Sequence, residues 1–121
     1  MVVLDTNTVL RFLLRDDAEK AVCVRNMMER ETCLLPIEVL AEAVYVLVKT
    51  YKIERVFVQQ KLLDFLQKEN VEIPHRTVVE TALLHFGKTK FDFVDCLMIG
   101  YAHVEGYQIL TFDQKLEKYL S

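Results

Sequence analysis

Four short apolar runs punctuate the chain, and the stretches between them carry helical periodicity. Val2-Val3-Leu4, Cys33-Leu34-Leu35, Val71-Glu72-Ile73 and Gln108-Ile109-Leu110 read as short buried strands. Thr8 to Leu14 places apolar residues at 9, 10, 13 and 14, and a helix over 18–31, capped by Asp16 or Asp17, turns Ala21, Val24, Met27 and Met28 inward. Pro36 suits the first turn of a helix over about 37–51, and a second over about 54–69, with Val56, Phe57, Leu62, Leu63 and Leu66 at helical spacing, makes a hairpin with it. Helices over 76–87, closed by Gly87, over 93–104, followed by Gly106, and over 114–120 complete the pattern. Apolar strands this short, never joined by a hairpin turn, call for a parallel sheet with helices on both faces. The expected class is α/β, a three-layer α/β/α sandwich with a short parallel sheet of four or five strands.

Composition narrows this picture. With 121 residues, 52% of them hydrophobic, three Gly and two Pro, the chain is expected to form a single domain over 1–121 without linker or repeat. No apolar run approaches the roughly 18–20 residues that span a bilayer, and Met1 to Asp5 lacks the basic start of a signal peptide, so a cytoplasmic protein without membrane contact is expected. Cys23, Cys33 and Cys96 are odd in number and lack C-x-x-C spacing, which leaves them as reduced, mostly buried small hydrophobes. His75, His85 and His103 have no ligand spacing, and the absence of Ser-His-Asp, P-loop and G-x-G-x-x-G patterns argues against acyl transfer and nucleotide cradles.

The acidic residues are placed differently. Ligands of parallel sheets bind beyond the carboxyl ends of the strands, and Asp5 leaves the first strand while Asp113 leaves the fourth. Each would also serve as a helix N-cap. Glu42 is the only charge among the ten residues from Val39 to Val48, in a helix apolar nearly all round and hence expected to be buried. A buried carboxylate must be protonated, paired with a cationic side chain or bound to a metal. Asp92 and Asp95 open a helix at i and i+3 ahead of an uncharged segment, which fits a cap and a dipole-favoured acid as well as a site. Were Asp5, Glu42, Asp95 and Asp113 to converge, each pair would repel by about 4 kcal/mol at roughly 4 Å. Such a cluster requires a cation, and oxygen donors select Mg2+ or Mn2+.

Leu4-Asp5-Thr6-Asn7, the helical Glu42, Asp92-Phe93-Val94-Asp95 ahead of a helix, and Leu110-Thr111-Phe112-Asp113 resemble, in order and spacing, the four acidic motifs of PIN-domain ribonucleases. The resemblance covers nearly the whole chain, and the short form is similar to the VapC-like toxins of toxin-antitoxin pairs. It implies a Mg2+-dependent ribonuclease with Asp5, Glu42, Asp95 and Asp113 as catalytic metal ligands or water activators, Asp92 as an additional ligand or an acid supporting the ligands from behind, and Asn7 and Thr111 as polar supports. It also implies an RNA substrate, a cognate antitoxin and a homodimer. Glu38 lies one turn from Glu42; the apolar neighbours of Glu42 and its place before Ala43-Val44-Tyr45 favour Glu42.

The formal charge of −3 opposes an RNA substrate, although two bound divalent ions would turn it into +1. Arg11 and Arg15, one turn apart after Asp5, and Lys88 and Lys90, just before Asp92, are candidates for phosphate contacts or for an ordinary solvated face. Two other classes stay in view. A receiver-like phosphotransfer domain would need a lysine leaving its last strand, and a phosphatase of the D-x-D-x-T kind a second Asp where Asn7 stands. A PIN-like module that binds protein without catalysis needs neither.

Overall fold

The computed structural model describes all residues, Met1–Ser121. Three of the four apolar runs pair: β1 (Val2–Val3), β2 (Cys33–Leu34) and β3 (Val71–Glu72) form one parallel sheet in the order β1-β2-β3. Val2, Cys33 and Val71 stand side by side, as do Val3, Leu34 and Glu72. Bonds from Leu4 N–H to Leu34 O (2.9 Å) and from Leu35 N–H to Glu72 O (2.8 Å) carry the ladder to the carboxyl ends. The two-residue period of a strand places Leu4, Cys33, Leu35, Val71 and Ile73 in the core and leaves Val3 and Glu72 exposed on the opposite face.

Helices α1 (Thr6–Leu14), α2 (Ala18–Arg30), α3 (Ile37–Lys49), α4 (Arg55–Leu66), α5 (Arg76–Lys88), α6 (Phe93–Glu105) and α7 (Gln114–Leu120) fill the intervals. The core is wholly apolar, with Leu35, Leu40, Leu47, Leu62, Phe65 and Leu83 almost fully withdrawn from water and no charged or polar residue buried. Cys33 and Cys96 are buried and Cys23 is exposed. No helix is long and apolar enough to cross a membrane.

Three expectations need correction. Gln108-Ile109-Leu110 is extended but pairs with nothing, so the sheet has three strands, not four or five. Leu110 and Phe112 are 91% and 95% exposed, and no backbone-to-backbone hydrogen bond involves residues 108–112. An apolar run specifies an extended segment, but a strand exists only through bonds to a neighbour, and here the six residues 107–112 run from the end of α6 to the cap of α7.

Secondly, Gly87 does not close α5, which continues through Lys88; the Gln59 side chain of α4 occupies the space a Cβ at Gly87 would take. Thirdly, α4 buries Val58, Leu62, Phe65 and Leu66, a stripe at i, i+4, i+7 and i+8, and this phase leaves Val56 and Phe57 exposed.

α5 and α6 approach closely, and a Cβ at Gly100 would stand 2.5 Å from the Val78 carbonyl oxygen. That neighbour is backbone and can move only with its helix. Gly100→Ala is therefore expected to destabilise the protein by roughly 1–3 kcal/mol through overpacking, read as a lower urea midpoint at unchanged slope.

Candidate active site

Asp5 follows directly on β1 and Leu4. In extended conformation (φ −94°, ψ 173°) it caps α1, its Oδ1 accepting the Thr8 N–H at 2.8 Å. That N–H first, and then the Thr8 hydroxyl, hold its carboxyl below the ordinary value, so Asp5 is ionised and oriented. Asn7 sits exposed in the first turn of the same helix.

Glu42 departs from expectation, since it is exposed rather than buried. Leu40, Ala43, Val44 and Leu47 turn the apolar side of α3 inward, whereas Glu38, Glu42, Tyr45 and Lys49, at i, i+4, i+7 and i+11, share one open face. The run of apolar neighbours concealed this phase. The desolvation argument for Glu42 therefore falls away, and Glu38 lies on the same face. α3 starts just past the carboxyl end of β2 and packs against α1 and α6.

The strongest electrostatic signal comes from the entry to α6. Asp92 caps the helix, its Oδ1 accepting the Asp95 N–H at 2.8 Å. Asp95 is half-buried, and its carboxyl is raised above the ordinary range by burial first, then by the charges of Asp92 and Asp113. Asp113 caps α7, with Oδ1 accepting the N–H groups of Lys115 (2.9 Å) and Leu116 (3.1 Å), and the Thr111 hydroxyl accepts its own N–H at 3.0 Å. Asp92, Asp95 and Asp113 thus share one field. Asp5, Asp92 and Asp113 all cap through Oδ1; at Asp92 and Asp113 no protein hydrogen bond engages Oδ2, whereas Asp5 also meets the Thr8 hydroxyl. Capping and ligation are compatible here.

No three His, Cys, Asp or Glu side chains approach closely enough to enclose an ion between them. The donor chemistry is nonetheless that of a hard dication: carboxylates only, in mutual repulsion, with no imidazole among them. The Cys96 thiol, buried beside them, is pushed up to about 11 by desolvation and is inert at neutral pH.

Sequence reading missed Arg55. From the first residue of α4 its Nε donates to Phe86 O at 3.0 Å and its Nη2 to Phe91 O, while its guanidinium carbon lies 3.7 Å from the centre of the Phe86 ring. It holds both ends of the connection that leads into Asp92, and Thr89 braces the same connection by donating to His85 O at 2.8 Å. No spacing marks this Arg, because its acceptors are backbone carbonyls 31 and 36 residues away. At the other end, Tyr119 ties α7 to α5, its Oη 2.7 Å from His85 Nδ1.

Of the candidate phosphate contacts, Arg11 bonds both oxygens of Asp16 at 2.7 Å and the Tyr51 hydroxyl at 3.1 Å. Arg15, Lys88 and Lys90 are exposed and in no ion pair.

Comparison with known proteins bears on this arrangement. The PIN domain profile matches residues 2–119, an interval that contains every acid described above. The chain belongs to the PIN domain family. This PIN domain is also similar to the VapC ribonuclease of Aquifex aeolicus (strain VF5), with 27% identity over 124 residues, covering 98% of this chain and 91% of that protein. No solved structure gives a significant match.

Two outcomes follow for the frame of the site. Arg55→Ala removes two charge-assisted bonds and the ring contact, and is expected to lower stability by about 2–3 kcal/mol, with Arg55→Lys failing to restore it because an ammonium lacks the planar fork; chemical unfolding measures both. His85 lies below its ordinary value, chiefly through burial and then through Lys88 and His103. The folded state therefore takes up this proton later than the unfolded chain, so its stability is full above about pH 6.5 and declines as the pH falls through the histidine range. Unfolding midpoints between about pH 8 and pH 5 should show that slope, and His85→Gln should flatten it.

Proposed function

We propose that this PIN domain is a metal-dependent ribonuclease that hydrolyses RNA phosphodiester bonds at Asp5, Glu42, Asp95 and Asp113, and that it serves as the toxin of a toxin-antitoxin pair. The observation that carries this reading is the shared field of Asp92, Asp95 and Asp113 at the entry to α6, within a PIN domain match that also spans Asp5 and Glu42. The similarity to a VapC ribonuclease supports both the reaction class and the biological role. A cytoplasmic location, a cognate antitoxin, a homodimer and a single domain over 1–121 belong to the same proposal.

Asp5, Asp95, Glu42, Asp92 and Asp113 would hold Mg2+, or Mn2+ in its place. When bound, the ion lowers the pKa of the attacking water and offsets charge on the phosphate. The chain supplies position. Asp5 is fixed by Thr8 and Asp92 by the Asp95 N–H, each at the start of a helix. Thr111 steadies Asp113 through its N–H, and Asn7 offers an exposed amide beside Asp5. The carboxyl of Asp95 is raised above its ordinary range by burial first and then by Asp92 and Asp113, which suits a group that faces a cation. Arg15, Lys88 and Lys90 are free to meet phosphates, whereas Arg11 would first have to release Asp16.

The test is cleavage of total cellular RNA in Mg2+ or Mn2+. Asn accepts the same capping bond as Asp, so Asp5→Asn keeps the helix start and removes the charge; it should lower the rate by at least about 100-fold, and EDTA should abolish cutting by the wild type. Cleavage indifferent to EDTA and to Asp5→Asn would sink the proposal. Intact RNA in every sample would favour the protein-binding module.

A further inference from the structure

Beside the acidic edge a groove of about 210 Å³ runs between α3 and the start of α6. Tyr45 and Val94 line it and remain 63% and 57% exposed, and Asp92, Lys49 and Arg55 line it too. On the open face of α3, Glu42, Tyr45 and Lys49 follow one another at helical spacing, an acid, an aromatic ring and a cation.

Tyr45 is exceptional among the five tyrosines. Tyr51 bonds Arg11, Tyr119 bonds His85, and Tyr101 and Tyr107 stack on each other. The Tyr45 ring meets no other aromatic ring, and its hydroxyl makes no hydrogen bond within the protein. Lys49, one turn further on, is in no ion pair. A flat ring in an apolar groove, with an unpaired cation on one side and an acid of the site on the other, is complementary to a nucleobase joined to a phosphate.

We infer that Tyr45 is the stacking platform for one unstacked base of single-stranded RNA, seated between Tyr45 and Val94 with its phosphate toward Lys49. This rests on the reading of the acids as the hydrolytic centre and adds to it a residue that would contact the base. Stacking needs an accessible base face, which a duplex conceals. The groove therefore selects single strands and loops, and because every base has such a face, it admits bases with little sequence preference.

The chain has no tryptophan, so Tyr45→Trp installs a unique reporter. Its fluorescence is expected to be quenched by a mixed-sequence, single-stranded octamer made uncleavable by 2′-O-methylation, and not by the matching duplex or by an abasic octamer with the same phosphates. Tyr45→Ala should weaken binding of the octamer roughly tenfold, and Tyr45→Phe should restore it. Equal binding by wild type and Tyr45→Ala, or equal quenching by the abasic octamer, would overturn the platform. Cleavage of RNA by the wild type, measured in parallel, separates the two readings: cleavage without base-dependent quenching removes the platform and leaves the nuclease, while quenching without cleavage supports the platform and removes the nuclease.

Discussion

The unsatisfied N–H groups in the first turns of helices are what the candidate site depends on. An α-helix begins with N–H groups that have no internal partner, and three acids of this PIN domain answer that need: Asp5 on α1, Asp92 on α6 and Asp113 on α7. The bond satisfies the helix and immobilises one carboxylate oxygen. Negative charge is favoured there by the helix dipole. Local folding requirements and the requirements of a carboxylate site are thus met by the same residues.

The arrangement carries a tension. Asp95 is half-buried, and its carboxyl is raised by that burial first and then by the like charges of Asp92 and Asp113. What resists their separation is the frame around them. Arg55 grips the connection into Asp92 by two carbonyls, Thr89 braces it, and Tyr119 pins the short terminal helix to His85. These contacts are made by groups that take no part in the proposed chemistry, yet they set where three of the acids stand. The wholly apolar core beneath supplies the rigidity on which they rely.

The open face of α3 extends the site sideways. Glu42, Tyr45 and Lys49 all remain in water because the opposite side of the helix supplies the core. A surface of this kind, acid then ring then cation, is where the proposed single-stranded RNA would lie.

Much of this was legible in the amino-acid order. The alternation of short apolar runs with helical periods yields the parallel sheet, and the strand-end and helix-start positions of Asp5, Asp92, Asp95 and Asp113 single them out, because capping and strand polarity are local rules. The family resemblance rested on those same residues. What only the tertiary structure decided depends on partners distant in sequence. The segment 108–110 reads as a strand but finds no neighbour. Glu42 reads as buried, yet the phase of α3 against the core puts it in solvent. Gly87 reads as a stop and is a point of close approach to Gln59. Arg55 carries no sequence signal at all, since its acceptors are backbone carbonyls of another segment. Local propensity is written in neighbouring residues, whereas pairing, burial and clamping are set by packing between elements that only the folded chain brings together.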